Sequence, residues 1–221
     1  MKQYQLPERI HGLIFDMDNT LYTNDEYARH QEIVLVERLA LSLGLEQRKM
    51  QSSLDAWRNA YADNHGGRRP SLGNTFLHGY GIPIETSIQW RRESIKPEHF
   101  LKADAKLDSA LASLSARCSL AVVTNNPVSI AEKSLQLLGV RKYFTSIVGL
   151  DSTGKSKPNP EAFQRAAAEL KCPEPSAVSI GDRFEVDLEP ALAIGMGAIL
   201  VDGVTDVYAI EALISDRIVS A

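Results

Sequence analysis

The stretch FDMDNTLYT, residues 15–23, closes the apolar run Leu13-Ile14-Phe15 with Asp16 and adds a second carboxylate, Asp18, two residues later. A strand leaving a buried sheet needs no charge at its end, and two like charges at close range repel. Taken alone, the stretch reads as a strand followed by a turn, because Asp and Asn favour turns. Two carboxylates at the carboxyl end of a parallel strand are also how a metal-dependent site begins. The rest of the chain separates the two readings.

The other apolar runs supply the context. SLAVVT (119–124), SIV (146–148), AVSI (177–180) and AILV (198–201) join HGLIF (11–15) as short, nearly continuous apolar segments. That is the pattern of strands buried on both faces. Helical patterns separate the last four: SIAEKSLQLLG (129–139), PEAFQRAAAEL (160–170) and DLEPALAIG (187–195). Pro160 suits a first helical turn, and Gly139 and Gly195 suit helix ends. The alternation predicts an α/β fold, a Rossmann-like core with a parallel sheet of five or more strands and helices on both faces.

The first interval breaks the rhythm. About a hundred residues separate Asp18 from the strand at Ser119, far more than one crossover needs. They read as helical in EYARHQEIVLVERLALSLG (26–44), RKMQSSLDAWRNAYADN (48–64) and IETSIQWRRESI (84–95), with punctuation at Gly66-Gly67, Pro70, Gly73, Gly79-Tyr80-Gly81 and Pro97. The expected organisation is a discontinuous core, 1–22 and 100–221, and a helical insert, 23–99. An insert there follows the first strand's carboxyl end, where open α/β sheets bind ligands.

Composition narrows the function. The chain has 221 residues, 44% hydrophobic and 24% charged, the balance of a soluble globular protein. A net charge of −4 speaks against a nucleic-acid partner. The N-terminal MKQYQLPERI lacks the apolar stretch of a signal peptide, and ALAIGMGAILV (191–201) is too short to span a bilayer, so no membrane partner is expected. The two cysteines, Cys118 and Cys172, have no metal-like spacing and make a disulfide framework improbable. A reducing, cytoplasmic location is the expectation. Nothing decides between monomer and homodimer.

One motif is a decoy. Residues 149–156, GLDSTGKS, match G-x-x-x-x-G-K-[ST] letter for letter, so a P-loop nucleotide binder is a rival reading. That mechanism needs a helix to start at the Lys-Ser end. Pro158 and Pro160 push the residues before them out of the α region, so the helix should begin near Pro160, too late for the motif.

The strand ends carry the chemistry. The first gives Asp16 and Asp18, the second Thr124-Asn125, the loop after the third Lys155 and Lys157, and the fourth Gly181-Asp182 with Asp187 beyond. Each has a plain explanation alone: a turn for Asp16 and Asp18, a turn hydroxyl for Thr124, a solvated charge for Lys157, a helix N-cap for Asp182 or Asp187. A parallel sheet brings all these ends to one edge, and the plain explanations do not account for the set. Three carboxylates repel unless a hard dication lies between them, and Mg²⁺ takes a few carboxylates with waters and phosphate oxygens. A lysine and a hydroxyl-bearing turn supply donors for a phosphate's remaining oxygens. No Ser, Cys or His stands at an obvious nucleophile position, which leaves an aspartate to form an aspartyl-phosphate.

These features resemble the haloacid dehalogenase superfamily of phosphohydrolases. FDMDNT, AVVTN, KPNPEAF and GDRFEVD resemble its four motifs in order and spacing, and the insert matches the position of its helical cap. The resemblance implies Asp16 as the nucleophile and Asp18 as the acid that protonates the leaving oxygen, then the base that activates water. It implies Thr124 and the Asn125 amide as phosphate ligands, and Lys157 holding both phosphate and Asp16. Asp16, the Asp18 carbonyl and Asp182 would bind Mg²⁺, with Asp187 in support behind them. The acid at Asp18 favours phosphoryl transfer over carbon–halogen cleavage.

The implied function is Mg²⁺-dependent hydrolysis of a small phosphorylated metabolite. DMDNTLY together with LGNTFLHGYGI (72–82) is similar to the pyrimidine 5′-nucleotidase-like branch, which implies a nucleoside monophosphate. A phosphosugar or phosphoglycolate phosphatase, or a phosphomutase, is the alternative. Arg68-Arg69, Arg91-Arg92, His65, His78 and His99 have no assigned role, and Trp57 and Trp90 read as core residues of the insert.

Overall fold

Strands form where the apolar runs predict them, in a computed structural model that describes residues 1–218. They are Lys2–Tyr4 (β1), Gly12–Phe15 (β2), Ser119–Val123 (β3), Phe144–Val148 (β4), Ala177–Gly181 (β5) and Gly197–Leu200 (β6). Among the described residues they make one sheet in the order β1-β6-β5-β2-β3-β4. The five strands anticipated from sequence pair in parallel, and β1 adds an antiparallel edge that the sequence reading lacked. The edge strand is three residues long and partly exposed, so it leaves no apolar run to read. Every residue of β2 and β5 is buried, as the continuous apolar runs require.

The chain steps from β2 outward to β3 and β4, then returns to β5 on the other side of β2. That reversal makes the carboxyl end of β2 the switch point of the sheet, where ligands of open α/β folds bind. Register sharpens the placement. Phe15 lies level with Val122 on β3 and Ile180 on β5, so Asp16, Thr124 and Asp182 leave the sheet within one residue of the same height.

The chain divides into two compact units, Met1–Asn24 with Pro97 onward, and Asp25–Lys96. The second unit holds the helices Asp25–Leu43 (α1), Gln47–Asn64 (α2), Leu72–Tyr80 (α3) and Ile84–Ser94 (α4). The third of these was missed in the sequence, where Gly73 and Gly79 read as breaks. Ser71 caps it by accepting from the Asn74 N–H at 3.2 Å, and Gly79 is packed tightly, since a Cβ there would lie 3.0 Å from the Trp57 ring. Trp57 and Trp90 are both half-buried. Trp90 meets Phe76 edge-on with ring centroids 6.0 Å apart.

In the first unit Ala105–Ser115 (α5), also unread in the sequence, buries Leu107, Leu111 and Leu114 at helical spacing. Val128–Leu138 (α6), Leu150–Thr153 (α7) and Glu161–Glu169 (α8) follow. The last lays Ala162, Phe163, Ala166 and Ala167 against Ile14, Ala121, Val123 and Val148 of the sheet. The decoy motif resolves here. The short α7 begins right after Gly149 and ends at Gly154, whose φ is +66°, so Lys155 and Ser156 start no helix, and Lys155 pairs instead with Glu161. Among the described residues no helix is long and apolar enough to cross a membrane.

The helix expected at 187–195 starts irregularly. Phe184–Leu188 forms a π-helical turn before Glu189–Ala193 (α9), and Val204–Val207 (α10) and Ile210–Ile214 (α11) end the described chain. Single π turns of this kind recur at functional sites. This one swings Asp187 back over Gly181, where a Cβ would lie 2.8 Å from the Asp187 Cγ. We therefore expect Gly181→Ala to destabilise the protein by about 1–3 kcal/mol, the cost of overpacking a tight site. Urea unfolding measures it, and wild-type stability in that variant would show that Asp187 does not depend on the missing Cβ.

Candidate active site

Lys157 is the centre of the site. Its ammonium is 1% exposed and donates to Asp16 Oδ1, to Asp187 Oδ1 at 2.6 Å and to the Val123 carbonyl at 3.0 Å. A lysine ammonium has three N–H donors, and all three are engaged. The backbone of the same residue is fixed too, since its N–H donates to Asn125 Oδ1 at 2.7 Å. The lysine loop is thereby tied to β2, to β3 and to the turn after β5.

Asp16, Asp182 and Asp187 each bring a carboxylate oxygen within 4.8 Å of the others. Their environments differ. The oxygens of Asp187 accept from Lys157 and, at 3.2 Å, from the Arg183 N–H. For Asp16, Oδ1 is taken by Lys157, whereas Oδ2 has only a long 3.5 Å contact with the Thr20 hydroxyl. Asp182 Oδ1 is buried and has no hydrogen-bond partner among the described residues. Arg183 Nε stands 3.8 Å from it, on a side chain that is 49% exposed. Asp16 and Asp182 thus keep oxygens for a cation, while Asp187 is committed to holding Lys157 and its own turn.

Electrostatics follow from this packing. Burial pushes the Asp16 carboxyl up to about 8, with Lys157 opposing the rise and Asp187 and Asp182 adding to it. Burial also raises Asp182, against the pull of Arg183. Burial works against the charge of Lys157, but Asp16 and Asp187 hold its ammonium above the ordinary lysine range. Three carboxylates face one buried ammonium, and their mutual repulsion adds to the rise that burial imposes on Asp16 and Asp182.

Asp18 stands apart from the three-carboxylate group. Its Oδ1 accepts from the Tyr22 hydroxyl at 2.5 Å, and its Oδ2 accepts from Asn126 Nδ2 at 3.2 Å. Thr124 is buried beside them, and its Oγ1 accepts from the Asn126 N–H at 3.1 Å. The residues singled out in the sequence thus fall into two groups at the carboxyl edge of the sheet: Lys157 with Asp16, Asp187 and Asn125, beside which Asp182 lies, and Asp18 with Thr124, which meet at Asn126. Sequence reasoning missed Tyr22, Asn126 and Arg183. Asn126 and Arg183 each adjoin a residue it did single out and Tyr22 lies four residues beyond Asp18, but only the turn geometry brings their side chains to bear. Of the unassigned basic residues of the insert, Arg68, Arg69, His65 and His78 are exposed, and Arg91 is buried, with its guanidinium donating to Ser87.

A glyceraldehyde 3-phosphate phosphatase of Methanocaldococcus jannaschii is 23% identical over 190 residues, 85% of this chain and 82% of that one. A fructose-1-phosphate phosphatase of Escherichia coli is 26% identical over 195 residues, 87% of this chain and 96% of that one. The crystal structure of a phosphatase from Thermococcus onnurineus superposes with a TM-score of 0.62 at 18% identity, covering 95% of this chain and 100% of that one. Residues 10–195, from two residues before β2 to the end of the turn after α9, match the haloacid dehalogenase-like hydrolases, and the chain belongs to that family.

Proposed function

We propose that the protein is a Mg²⁺-dependent phosphomonoester hydrolase that transfers phosphate from a small metabolite to Asp16 and then to water. One observation carries the reading. Asp16 is a buried carboxylate whose Oδ1 is fixed by Lys157 and whose Oδ2 has only the long contact with Thr20. A fixed carboxylate with one uncommitted oxygen at the switch point of the sheet is a placed nucleophile.

In the first half-reaction an Asp16 oxygen bonds to phosphorus as the bond to the leaving oxygen breaks, and Asp18 gives that oxygen its proton. In the second, the Asp18 carboxylate takes a proton from water, whose oxygen attacks phosphorus. The bond to Asp16 breaks, and the carboxylate and inorganic phosphate are restored. Thr124 and the Asn125 amide provide donors to the phosphate oxygens, and Lys157 holds the Asp16 charge in place. The uncommitted oxygens of Asp16 and Asp182, with the unpartnered Asp182 Oδ1, fit a hard dication with an all-oxygen ligand set. Bound there, Mg²⁺ offsets the negative charge of the carboxylates and the incoming phosphate.

The substrate class we favour is a small sugar phosphate. The two relatives named above bear the names of triose- and hexose-phosphate phosphatases. This shifts weight from the nucleoside monophosphate implied by DMDNTLY toward the phosphosugar alternative. We assign substrate selection to the unit Asp25–Lys96, a helical cap inserted directly after the catalytic turn. Its exposed Arg68, Arg69 and His78 would offer hydrogen-bond donors to a hydroxylated leaving group.

A panel of sugar phosphates and nucleoside monophosphates, assayed with Mg²⁺, tests the function. We expect turnover on a sugar phosphate and none in Asp16→Asn, and substantial activity in that variant would overturn the mechanism. Replacing Arg68, Arg69 and His78 together with alanine should raise KM for the preferred substrate about tenfold, the loss of one charged hydrogen bond. An unchanged KM would remove them from substrate recognition.

The metal reading has its own test in stability. Without metal, the folded protein holds the Asp16 proton more tightly than the unfolded chain does. Stability present below the ordinary value of 3.8 is then lost as pH rises toward about 8. We expect the Tm of chelator-treated protein to fall across that window. Asp16→Asn should flatten the slope, and Mg²⁺ should offset it at the upper end. The same slope with and without the Asp16 carboxyl would show that another group titrates.

A further inference from the structure

Asp18 is gripped from both sides. The Tyr22 hydroxyl donates to Oδ1 at 2.5 Å and the Asn126 amide donates to Oδ2 at 3.2 Å. Tyr22 and Asn126 are each 6% exposed, so both donors sit on packed side chains. A carboxyl with a fixed donor on each oxygen cannot rotate without breaking a hydrogen bond.

The backbone fixes both donors in turn. Asn19 takes a φ of +57°, a left-handed conformation that Asn tolerates better than most residues. The Leu21 N–H donates to the Met17 carbonyl at 3.0 Å, and the reversed chain bridges Tyr22 back to Asp18. Asn126 is held at both backbone atoms. Its N–H donates to Thr124 Oγ1 at 3.1 Å, and its carbonyl accepts from the Leu150 N–H at 2.9 Å. One donor comes from the turn after β2 and the other from the turn after the adjacent β3, so the grip spans two strand ends.

We infer that Tyr22 and Asn126 are positioning residues for Asp18, fixing its carboxyl in the one orientation that serves both half-reactions. The inference rests on the acid–base role proposed for Asp18. A hydroxyl both donates and accepts, so Tyr22 keeps a hydrogen bond to Asp18 whether that carboxyl carries its proton or has given it away. Asn126 can only donate from its amide nitrogen, so it holds Oδ2 as an acceptor. Misplacing a reacting group by about 1 Å costs on the order of 10²-fold in rate.

The test is a double-mutant cycle on the full-length enzyme with Mg²⁺, reading kcat/KM for p-nitrophenyl phosphate and for glycerol 1-phosphate. Tyr22→Phe and Asn126→Ala should each lower kcat/KM on glycerol 1-phosphate by about 10- to 100-fold, within the cost of misplacement. The loss should be smaller on p-nitrophenyl phosphate, whose leaving group needs little protonation. In the Asp18→Asn background each change should cost less than about twofold, because residues acting as a unit are not additive. Equal losses in both backgrounds, or equal losses on both substrates, would overturn the positioning role. If Asp18→Asn alone keeps the rate on glycerol 1-phosphate, the acid–base reading fails and the inference falls with it, an outcome distinct from the first two. Thermal melts report folding, and Tyr22→Phe, which keeps the ring, carries the test should Asn126→Ala not fold.

Discussion

The buried ammonium of Lys157 is the constraint on which the site depends. It joins Asp16, 141 residues away in sequence, to Asp187 and to the end of β3 in one set of hydrogen bonds. Burying a charge this completely is costly, and a buried ion pair seldom stabilises a fold more than a well-packed apolar group would. Removing one partner is worse, because it leaves an uncompensated charge, at a typical cost of about 3–5 kcal/mol. A lysine in this position therefore makes little sense as a stability device. It makes sense as the group that opposes the rise burial imposes on Asp16 and fixes one of its oxygens.

The charge balance of the cluster then has a direction. One lysine offsets one of three carboxylates, and Arg183 is half in solvent, where its field is screened. What remains suits neither a bare phosphate dianion, which it would repel, nor an empty pocket, in which burial pushes Asp16 and Asp182 toward their protonated forms. A dication and a phosphate together resolve both problems. The division of labour among the carboxylates follows from hydrogen bonding: Asp187 is fully occupied by Lys157 and the Arg183 N–H, while Asp182 Oδ1 is left bare.

Much of this was legible in the sequence because parallel sheets concentrate information at strand ends. Continuous apolar runs marked five of the strands, and the polar residue after each run marked the edge where the site lies. Asp16, Asp18, Thr124 and Asp182 could be found that way, and Lys157 only as one of two lysines in the loop after the third run. What escaped depended on three-dimensional packing. Gly73 and Gly79 read as breaks, yet Gly79 is where the Trp57 ring packs close to α3. The edge strand β1 is too short and polar to show a period. Arg183, Tyr22 and Asn126 had no pattern of their own, since a side chain's direction out of a π turn or a left-handed turn is not written in local periodicity. The role of Asp187 in holding Lys157 emerged only with the π turn.

That same turn chemistry explains why the insert can enter where it does. Within residues 18–24 the chain carries a carboxyl, the tyrosine that holds it and two anchors to the first unit. Thr23 Oγ1 accepts from the Val204 N–H at 3.1 Å, and Asn24 Nδ2 donates to the Phe100 carbonyl at 3.1 Å. The outgoing and returning strands of the insertion are thus tied together at its base, one residue before α1 begins. The seventy-odd residues of Asp25–Lys96 follow these anchors, so the side-chain-to-backbone hydrogen bonds of Thr23 and Asn24 stand between the insertion and Asp18. An insertion three residues earlier would have separated Asp18 from its holder. The domain boundary falls just beyond the turn that the carboxyl needs.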